Sequence, residues 1–277
     1  MPSRQIIYRK MRHIEEFRTL PAVVKKLLEV LENPRLSLED IAAVVSKDQV
    51  LAARLLRTAN SPFFGFFHRV ATIQQALVLL GLNTAKALLL GASFFRHVRG
   101  IEGLWAHSVG TAIVTGVIAE RYALPEREEL FVAGLLHDIG KVFLYAKFPQ
   151  DYQRALTLAS EREVLIVDAE REVFHSTHAE VAGWALERWC LPSQLVEAIR
   201  YHHEPFLATT WCTETAVVHV SDIVVRAQGY GSKGDALVPL IDETVRARLN
   251  LSETEIKALL SESEEPLREA QGFLSCL

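Results

Sequence analysis

Apolar residues recur at intervals of three and four along most of the chain, the spacing that places them on one face of an α-helix. The first such face consists of Val24, Leu27, Leu28 and Leu31, and Pro34 is expected to end that helix. Alternating apolar and polar residues between hairpin turns, the pattern of half-buried strands, do not stand out anywhere. The pattern therefore predicts an all-α protein.

Glycine-containing breaks divide the helical pattern into three parts. The first part, residues 14–97, is predicted to be an N-terminal helical bundle, and Gly100 and Gly103 mark its boundary with the second part, residues 104–226. A glycine- and serine-containing loop precedes a helical tail, residues 235–277. We expect the first two parts to pack together, because neither has an obvious apolar partner within itself.

Composition narrows the class of protein. The chain has 277 residues, 49% of them hydrophobic, and a net charge of -4, which provides no bulk attraction to nucleic acid or anionic lipid. No secretory signal is apparent, and no apolar stretch reaches the roughly 18 residues that a membrane span requires. The three cysteines form no C-x-x-C pair. We expect a cytoplasmic protein with no membrane partner, no disulfide framework and no thiolate zinc site.

Seven residues of metal-binding type occupy positions where a helix would otherwise bury an apolar side chain. Burying so many ionisable groups is costly unless a charge lies between them. The sequence therefore predicts a metal centre, of two ions. The seven residues are His107, His137, Asp138, His178, His202, His203 and Asp222.

Helical spacing supports this prediction. His107 shares a face with Leu104 and Thr111, and each such histidine taken singly would more simply be a core residue. The conjunction of all seven favours a metal. His202 and His203 continue the apolar stripe of Leu195, Ala198 and Ile199, and as adjacent helical residues they should diverge by about 100°. They could serve two ions, or one ion and a phosphate.

The ligand types constrain the metal and its chemistry. Imidazoles and carboxylates without thiolates favour iron or manganese, with zinc or nickel as alternatives. Asp138 follows His137 in an apolar run, needs a cation beside it, and is predicted to bridge two ions. Two ions could clamp a water and a phosphoryl oxygen. Lys141 is a candidate phosphate contact, with a solvated lysine at a helix end as the alternative.

The motif His137-Asp138-Ile139-Gly140-Lys141 resembles the signature of the HD superfamily of metal-dependent phosphohydrolases. The order of the seven residues resembles the ligand order of the HD-GYP cyclic-dinucleotide phosphodiesterases. Three further segments resemble the N-terminal bundle of the HDOD domain, a bacterial signalling relative of those enzymes, so that the resemblance covers residues 14–226. The segments are LPAVVKKLLEVL, SLEDIAAVVSKDQVLAARLLRTANSPFFG and ATIQQALVLLGLNTAKALLL.

Two departures limit what the resemblance implies. Pro205-Phe206-Leu207 stands where the HD-GYP enzymes have their Gly-Tyr-Pro loop, so a specificity for cyclic-di-GMP does not carry over. Gly103 stands where some of those enzymes place a further acidic ligand, which argues against a third ion. The resemblance implies an HD-type helical domain packed on the bundle, in a regulatory protein with a protein partner and no established reaction.

Two other functions stay open. The first is a metal-dependent phosphohydrolase or phosphodiesterase that acts on a nucleotide or cyclic dinucleotide, with Asp138 and Lys141 as catalytic residues. The second is a DNA-binding helix-turn-helix over residues 40–61, with Arg54 and Arg57 toward DNA. Bundle packing explains the apolar positions of that segment equally well, so nucleic acid is the weakest of the predicted partners.

Overall fold

The computed structural model describes most of the chain beyond residue 103 and parts of the chain before it. The described residues are 2–11, 38–46, 49–60, 69–81, 85, 89, 101, 103–125, 127–189, 191–230 and 237–274. The predicted helix that Pro34 ends, the aromatic cluster Phe63-Phe64-Gly65-Phe66-Phe67 and residues 231–236, which include most of the predicted glycine- and serine-containing loop, lie outside them. No described helix is long and apolar enough to cross a membrane.

The described residues form α-helices and one short 3₁₀ turn, Pro205–Leu207, without a strand, and this confirms the predicted all-α class. The helices, numbered in chain order within the described ranges, are α1 Arg4–Met11, α2 Leu38–Val45, α3 Gln49–Ala59, α4 Ile73–Leu80, α5 Leu104–Arg121, α6 Arg127–Leu136, α7 Ile139–Lys147, α8 Pro149–Arg162, α9 Ile166–Phe174, α10 His178–Arg188, α11 Ser193–Arg200, α12 Cys212–Ala227, α13 Glu243–Arg248 and α14 Glu253–Leu274.

Local signals in the sequence fix the start of α10, the helix that begins with His178. Thr177 is extended and its side chain accepts a hydrogen bond from the Glu180 amide, while the Glu180 side chain accepts one from the Thr177 amide. This capping box satisfies two amides that a helix start leaves without partners. The preceding helix, α9, ends where His175 adopts a left-handed φ of 53°.

Three apolar clusters hold the helices together. The second cluster contains Ile41, Leu55 and Leu77 from the N-terminal helices together with Phe131 and Leu135 from α6. The N-terminal helices and α6 thus share one core. The limits of the predicted parts stay predictions, because residues 90–100 and 231–236 lie outside the described ranges.

The other two clusters surround the central helices. One joins α7, α10 and α11, with Phe143 edge-on to Trp189, and also includes Ile7 of α1. The other places Leu259 and Leu267 of α14 against α5 and α12, so the C-terminal tail is a packing arm. Helix α5 consequently lies between α6, α12 and α14.

Candidate metal centre

His137 and Asp138 lie at the corner between α6 and α7, and both are completely buried. The corner packs against the start of α10 so closely that a Cβ on Gly140 would overlap the carbonyl group of His178. Glycine is therefore required at this position by the approach of two backbones. This contact places the first residue of α10 beside Asp138.

The structure brings all seven predicted residues together from five places in the fold. His107 lies in the first turn of α5, His178 begins α10, and Asp222 lies in α12. His202 and His203 follow α11 in a turn. Two groups result, within each of which the potential ligand atoms lie no more than 4.8 Å apart: Asp138, His178, His202 and His203 in the four-residue group, and His107, His137 and Asp222 in the three-residue group.

The expected divergence of His202 and His203 was wrong. Helix α11 ends at Arg200, and Tyr201 leaves the helical conformation, so the two histidines lie in a turn. Their ring centroids are 4.0 Å apart, and both residues belong to the four-residue group. His202 is buried and His203 is partly exposed.

Three of the histidines are held through Nδ1 by an oxygen acceptor. A neutral imidazole that donates from Nδ1 presents a lone pair at Nε2, which is how metal-binding histidines are commonly oriented. The Nδ1 contacts are His137 with the Gly134 carbonyl, His202 with the Ile199 carbonyl and His178 with the Glu170 carboxylate, each at 2.7 Å. His107 has a longer contact of 3.5 Å from Nδ1 to the Tyr230 carbonyl.

The Nε2 atoms of these rings face one another. His178 Nε2 lies 3.0 Å from His203 Nε2, and His137 Nε2 lies 3.2 Å from His107 Nε2. His202 Nε2 is buried without a hydrogen-bond partner. Lone pairs at such distances repel unless a proton or a metal lies between them. Ligands about 2.1 Å from one metal ion are roughly 3.0 to 3.4 Å apart, depending on the coordination geometry, so both spacings fit a shared ion.

Asp138 faces both groups. Its Oδ1 lies 3.0 Å from His178 Nε2, while its Oδ2 lies 3.4 Å from His137 Nε2 and 3.6 Å from His107 Nε2. When His178 carries a single proton, on Nδ1, Asp138 Oδ1 receives no hydrogen bond. The carboxylate thus has the position that a bridging ligand requires.

Two buried cations compensate the two carboxylates. Lys141 Nζ lies 2.8 Å from Asp138 Oδ2, and Arg226 Nε lies 2.7 Å from Asp222 Oδ1. Burial raises the pKa of Asp138 and of Asp222, but the neighbouring cations and histidines outweigh it and hold both pKa values well below the usual range. Lys141 is therefore the cation that Asp138 was expected to need, and it is buried rather than solvated at a helix end.

The histidines differ in protonation when no metal is bound. Burial lowers the pKa of His178, but the carboxylates of Glu170 and Asp138 outweigh it and raise the pKa to about 9. Burial and the neighbouring imidazoles hold the pKa values of His202 and His203 well below the usual range, and burial lowers that of His107. At neutral pH the second proton of the His178 ring is therefore on Nε2, beside Asp138 Oδ1, at the position that a metal would take.

Sequence reasoning missed three residues that contact members of the seven: Glu170, Arg226 and His219. Glu170 accepts hydrogen bonds from both the amide and the ring of His178. The sequence signal for Glu170 was its position among the buried residues of α9. The signal for Arg226, the partner of Asp222, was the i, i+4 spacing of the two residues. The third residue, His219, contacts the carbonyl of His202.

A cavity of about 820 Å³ opens beside His203. It meets the four-residue group at His203, and its volume lies within the size range of small-molecule sites. Its lining is both apolar and charged, and is formed by Leu165, Val167, Asp168, Arg171, His203, Glu204, His219, Pro239, Leu240, Ile241, Asp242, Glu243, Arg246 and Ile256.

The sequence model of the HDOD domain family matches residues 17–205 of this chain, more than half of its length. The chain belongs to the HDOD domain family. A crystal structure of an HDOD domain protein of unknown function from Geobacter sulfurreducens is 26% identical, with a TM-score of 0.62 over 95% of this chain and 89% of that one. The family resemblance of the sequence is thereby confirmed.

Two other similar proteins extend the comparison of this HDOD protein. A crystal structure of a candidate phosphohydrolase from Shewanella amazonensis SB2B is 23% identical and covers 96% of this chain and 94% of that one, with a TM-score of 0.66; it shares the fold. An uncharacterized protein from Treponema pallidum (strain Nichols) is 29% identical over 192 residues, 66% of this chain. The HDOD protein spans just over a third, 37%, of the length of that relative.

Proposed function

We propose that this HDOD protein is a regulatory module whose HD-type centre binds two divalent transition-metal ions. The observation that carries the proposal is the convergence of imidazole Nε2 atoms at 3.0 and 3.2 Å, while oxygen acceptors engage the Nδ1 atoms of His137, His178 and His202. Charge balance alone would not require a metal, because Lys141 and Arg226 already face the carboxylates. The directed lone pairs are what a cation would satisfy.

The two groups divide the ligands between the two ions. The four-residue group would hold one ion and the three-residue group the other, with Asp138 shared between them. The ligand types, imidazoles and carboxylates without thiolates, favour iron or manganese, with zinc or nickel as alternatives. Glu170 would orient His178, as carboxylates commonly do for metal-binding histidines.

A regulatory role follows from where the ligands originate. They come from separate helices and turns. Bound metal would therefore cross-link α5, α12, the α6–α7 corner, the start of α10 and the turn after α11. Helix α6 ends directly before His137 and also contributes Phe131 and Leu135 to the core of the N-terminal helices. Metal occupancy would therefore change the stability of the N-terminal helices α2, α3 and α4, whose surface we propose as the contact for a protein signalling partner.

Hydrogen exchange of the full chain tests this coupling. On addition of Mn²⁺ we expect slower amide exchange in α6 and also in α2 and α3, because these helices share one core with α6. Asp138→Asn should abolish that response, while Asp151→Asn, in the first turn of α8, should not. Protection restricted to the ligand turns would contradict a regulatory route through α6.

A second function is favoured by the cavity beside His203. Arg171 and Arg246 line it, and its volume of about 820 Å³ would accommodate a nucleotide or a cyclic dinucleotide with its phosphate toward the metals. Two bound ions would supply an activated water and neutralise a phosphoryl oxygen. Arg171 already contacts Asp168 and Glu204, and Lys141 contacts Asp138, so neither is positioned for substrate alone.

Turnover separates the two functions. With those basic groups engaged by carboxylates, we expect the metal-loaded protein to hydrolyse cyclic-di-GMP more slowly than about 1 per second, the low end of ordinary enzymes. Nucleotide monophosphates and a generic phosphodiester belong in the same assay. Faster hydrolysis that disappears in Asp138→Asn would establish the enzyme instead of the regulatory module.

A further inference from the structure

His219 lies on α12, one turn before the candidate ligand Asp222, and is 5% exposed. Its Nδ1 lies 2.7 Å from the carbonyl oxygen of His202. Its Nε2 accepts a hydrogen bond from the backbone amide of Asp242 at 3.1 Å. One imidazole thus connects the turn that carries two candidate ligands with a segment 40 positions further along the chain.

The donor at Asp242 determines the tautomer of His219. A backbone amide can only donate, so Nε2 must present its lone pair and the proton of a neutral ring is on Nδ1. Nδ1 therefore donates to the His202 carbonyl. Both ring nitrogens are engaged, and His219 is not available as a metal ligand although it lies beside the centre.

His219 joins three parts of the chain, each of which contributes to the candidate metal centre or to the cavity beside it. Helix α12 holds Asp222, and His202 belongs to the four-residue group. Asp242 caps α13 through a 2.8 Å hydrogen bond from the Thr244 amide to its carboxylate. The segment before it, Pro239 to Asp242, forms part of the wall of the cavity beside His203.

We propose that His219 is a positioning residue for the metal centre, which fixes the His202 carbonyl and thereby the turn that presents His202 and His203. This proposal rests on the proposed metal function. A histidine that merely filled the core would contribute to stability without setting metal affinity. The two bonds of His219 make these roles separable, because only the bond from Nδ1 reaches the ligand turn.

Two substitutions each retain one bond. The side-chain amide nitrogen of Asn reaches about as far as His Nδ1, so His219→Asn keeps a donor for the His202 carbonyl. The amide group of Gln reaches about as far as His Nε2, so His219→Gln keeps an acceptor for the Asp242 amide. The full chain is titrated with Co²⁺ by calorimetry and by its visible absorption, and hydrogen exchange is measured for residues 237–243 without metal.

We expect His219→Gln to lower the Co²⁺ affinity by roughly 10- to 100-fold and to alter the Co²⁺ spectrum, the range typical of groups that orient ligands. His219→Asn should retain wild-type affinity, while its Asp242 amide exchanges faster. Wild-type affinity in His219→Gln, or equal loss in both variants, would overturn the positioning role. Absence of Co²⁺ binding by the wild type would instead contradict the proposed metal function itself.

Discussion

The Nε2 atom of His178 lies 3.0 Å from the Nε2 atom of His203, although the other nitrogen of His178 is already 2.7 Å from the carboxylate of Glu170. Without metal, a second proton on His178 must occupy the space between the two rings and Asp138. With metal, the ion replaces that proton. In the proposed metal centre, a proton and a cation would therefore compete for one position.

Glu170 should control how firmly His178 is presented. Glu170→Ala removes the acceptor for the His178 ring and amide, and we expect metal affinity to fall by about 10- to 100-fold. Glu170→Gln keeps an oxygen acceptor and should lose less. Calorimetric titration with Mn²⁺ measures both. Glu172→Ala, which removes an exposed partner of Arg162, is the control and should leave affinity unchanged.

The metal-free protein should be most stable near pH 6.5 to 7. The raised pKa of His178, about 9, contributes stability that is complete below the unfolded value of 6.5 and is lost as the pH rises through 9. The lowered pKa values of His107, His202 and His203 act in the opposite direction, because the unfolded chain takes up protons below 6.5 that the folded chain does not.

Bound metal should stabilise the folded protein increasingly as the pH rises above 6.5, the range in which the metal-free protein loses stability. Binding displaces the His178 proton, so affinity should rise with pH by up to about tenfold per unit until pH 9. The increase in melting temperature on adding Mn²⁺ should consequently be larger at pH 8.5 than at pH 6.5. An increase that is independent of pH would mean that His178 is not the group displaced.

Gly140→Ala should disrupt both the fold and the site. The added Cβ would overlap the backbone carbonyl of His178, and neither backbone can move without shifting Asp138 or the start of α10. We expect a loss of about 3 kcal/mol in the free energy of unfolding, measured by urea denaturation, and loss of metal binding. Gln153→Ala on the exposed face of α8 should change neither.

The shared core predicts that the second part of the chain is not independent. A fragment of residues 104–277 would expose Phe131 and Leu135, which belong to one core cluster with Ile41, Leu55 and Leu77 in the full chain. We expect it to be poorly soluble by comparison with the full chain in gel filtration. A monomeric fragment that unfolds cooperatively would show that the N-terminal bundle is a separate module.

The sequence predicted the helical class and the burial of the ligand residues because periodicity records which face of a helix is apolar. His107, His178 and Asp222 each interrupt such a face, so their inward direction was readable. The turn at His202 and His203 was not, since no glycine or proline directly follows Arg200, where α11 ends. The partnership of Lys141 with Asp138 likewise required three-dimensional distances.

Metal content is the most direct test of the central claim. Protein purified without chelators and without nickel affinity resin is analysed by inductively coupled plasma mass spectrometry, alongside Asp138→Ala, His202→Ala and the control Asp151→Ala. The account predicts between one and two first-row transition ions per wild-type and control chain, iron or manganese above all, and fewer in the two site variants. Wild-type protein without stoichiometric metal at neutral pH, with site variants equally stable, would contradict it.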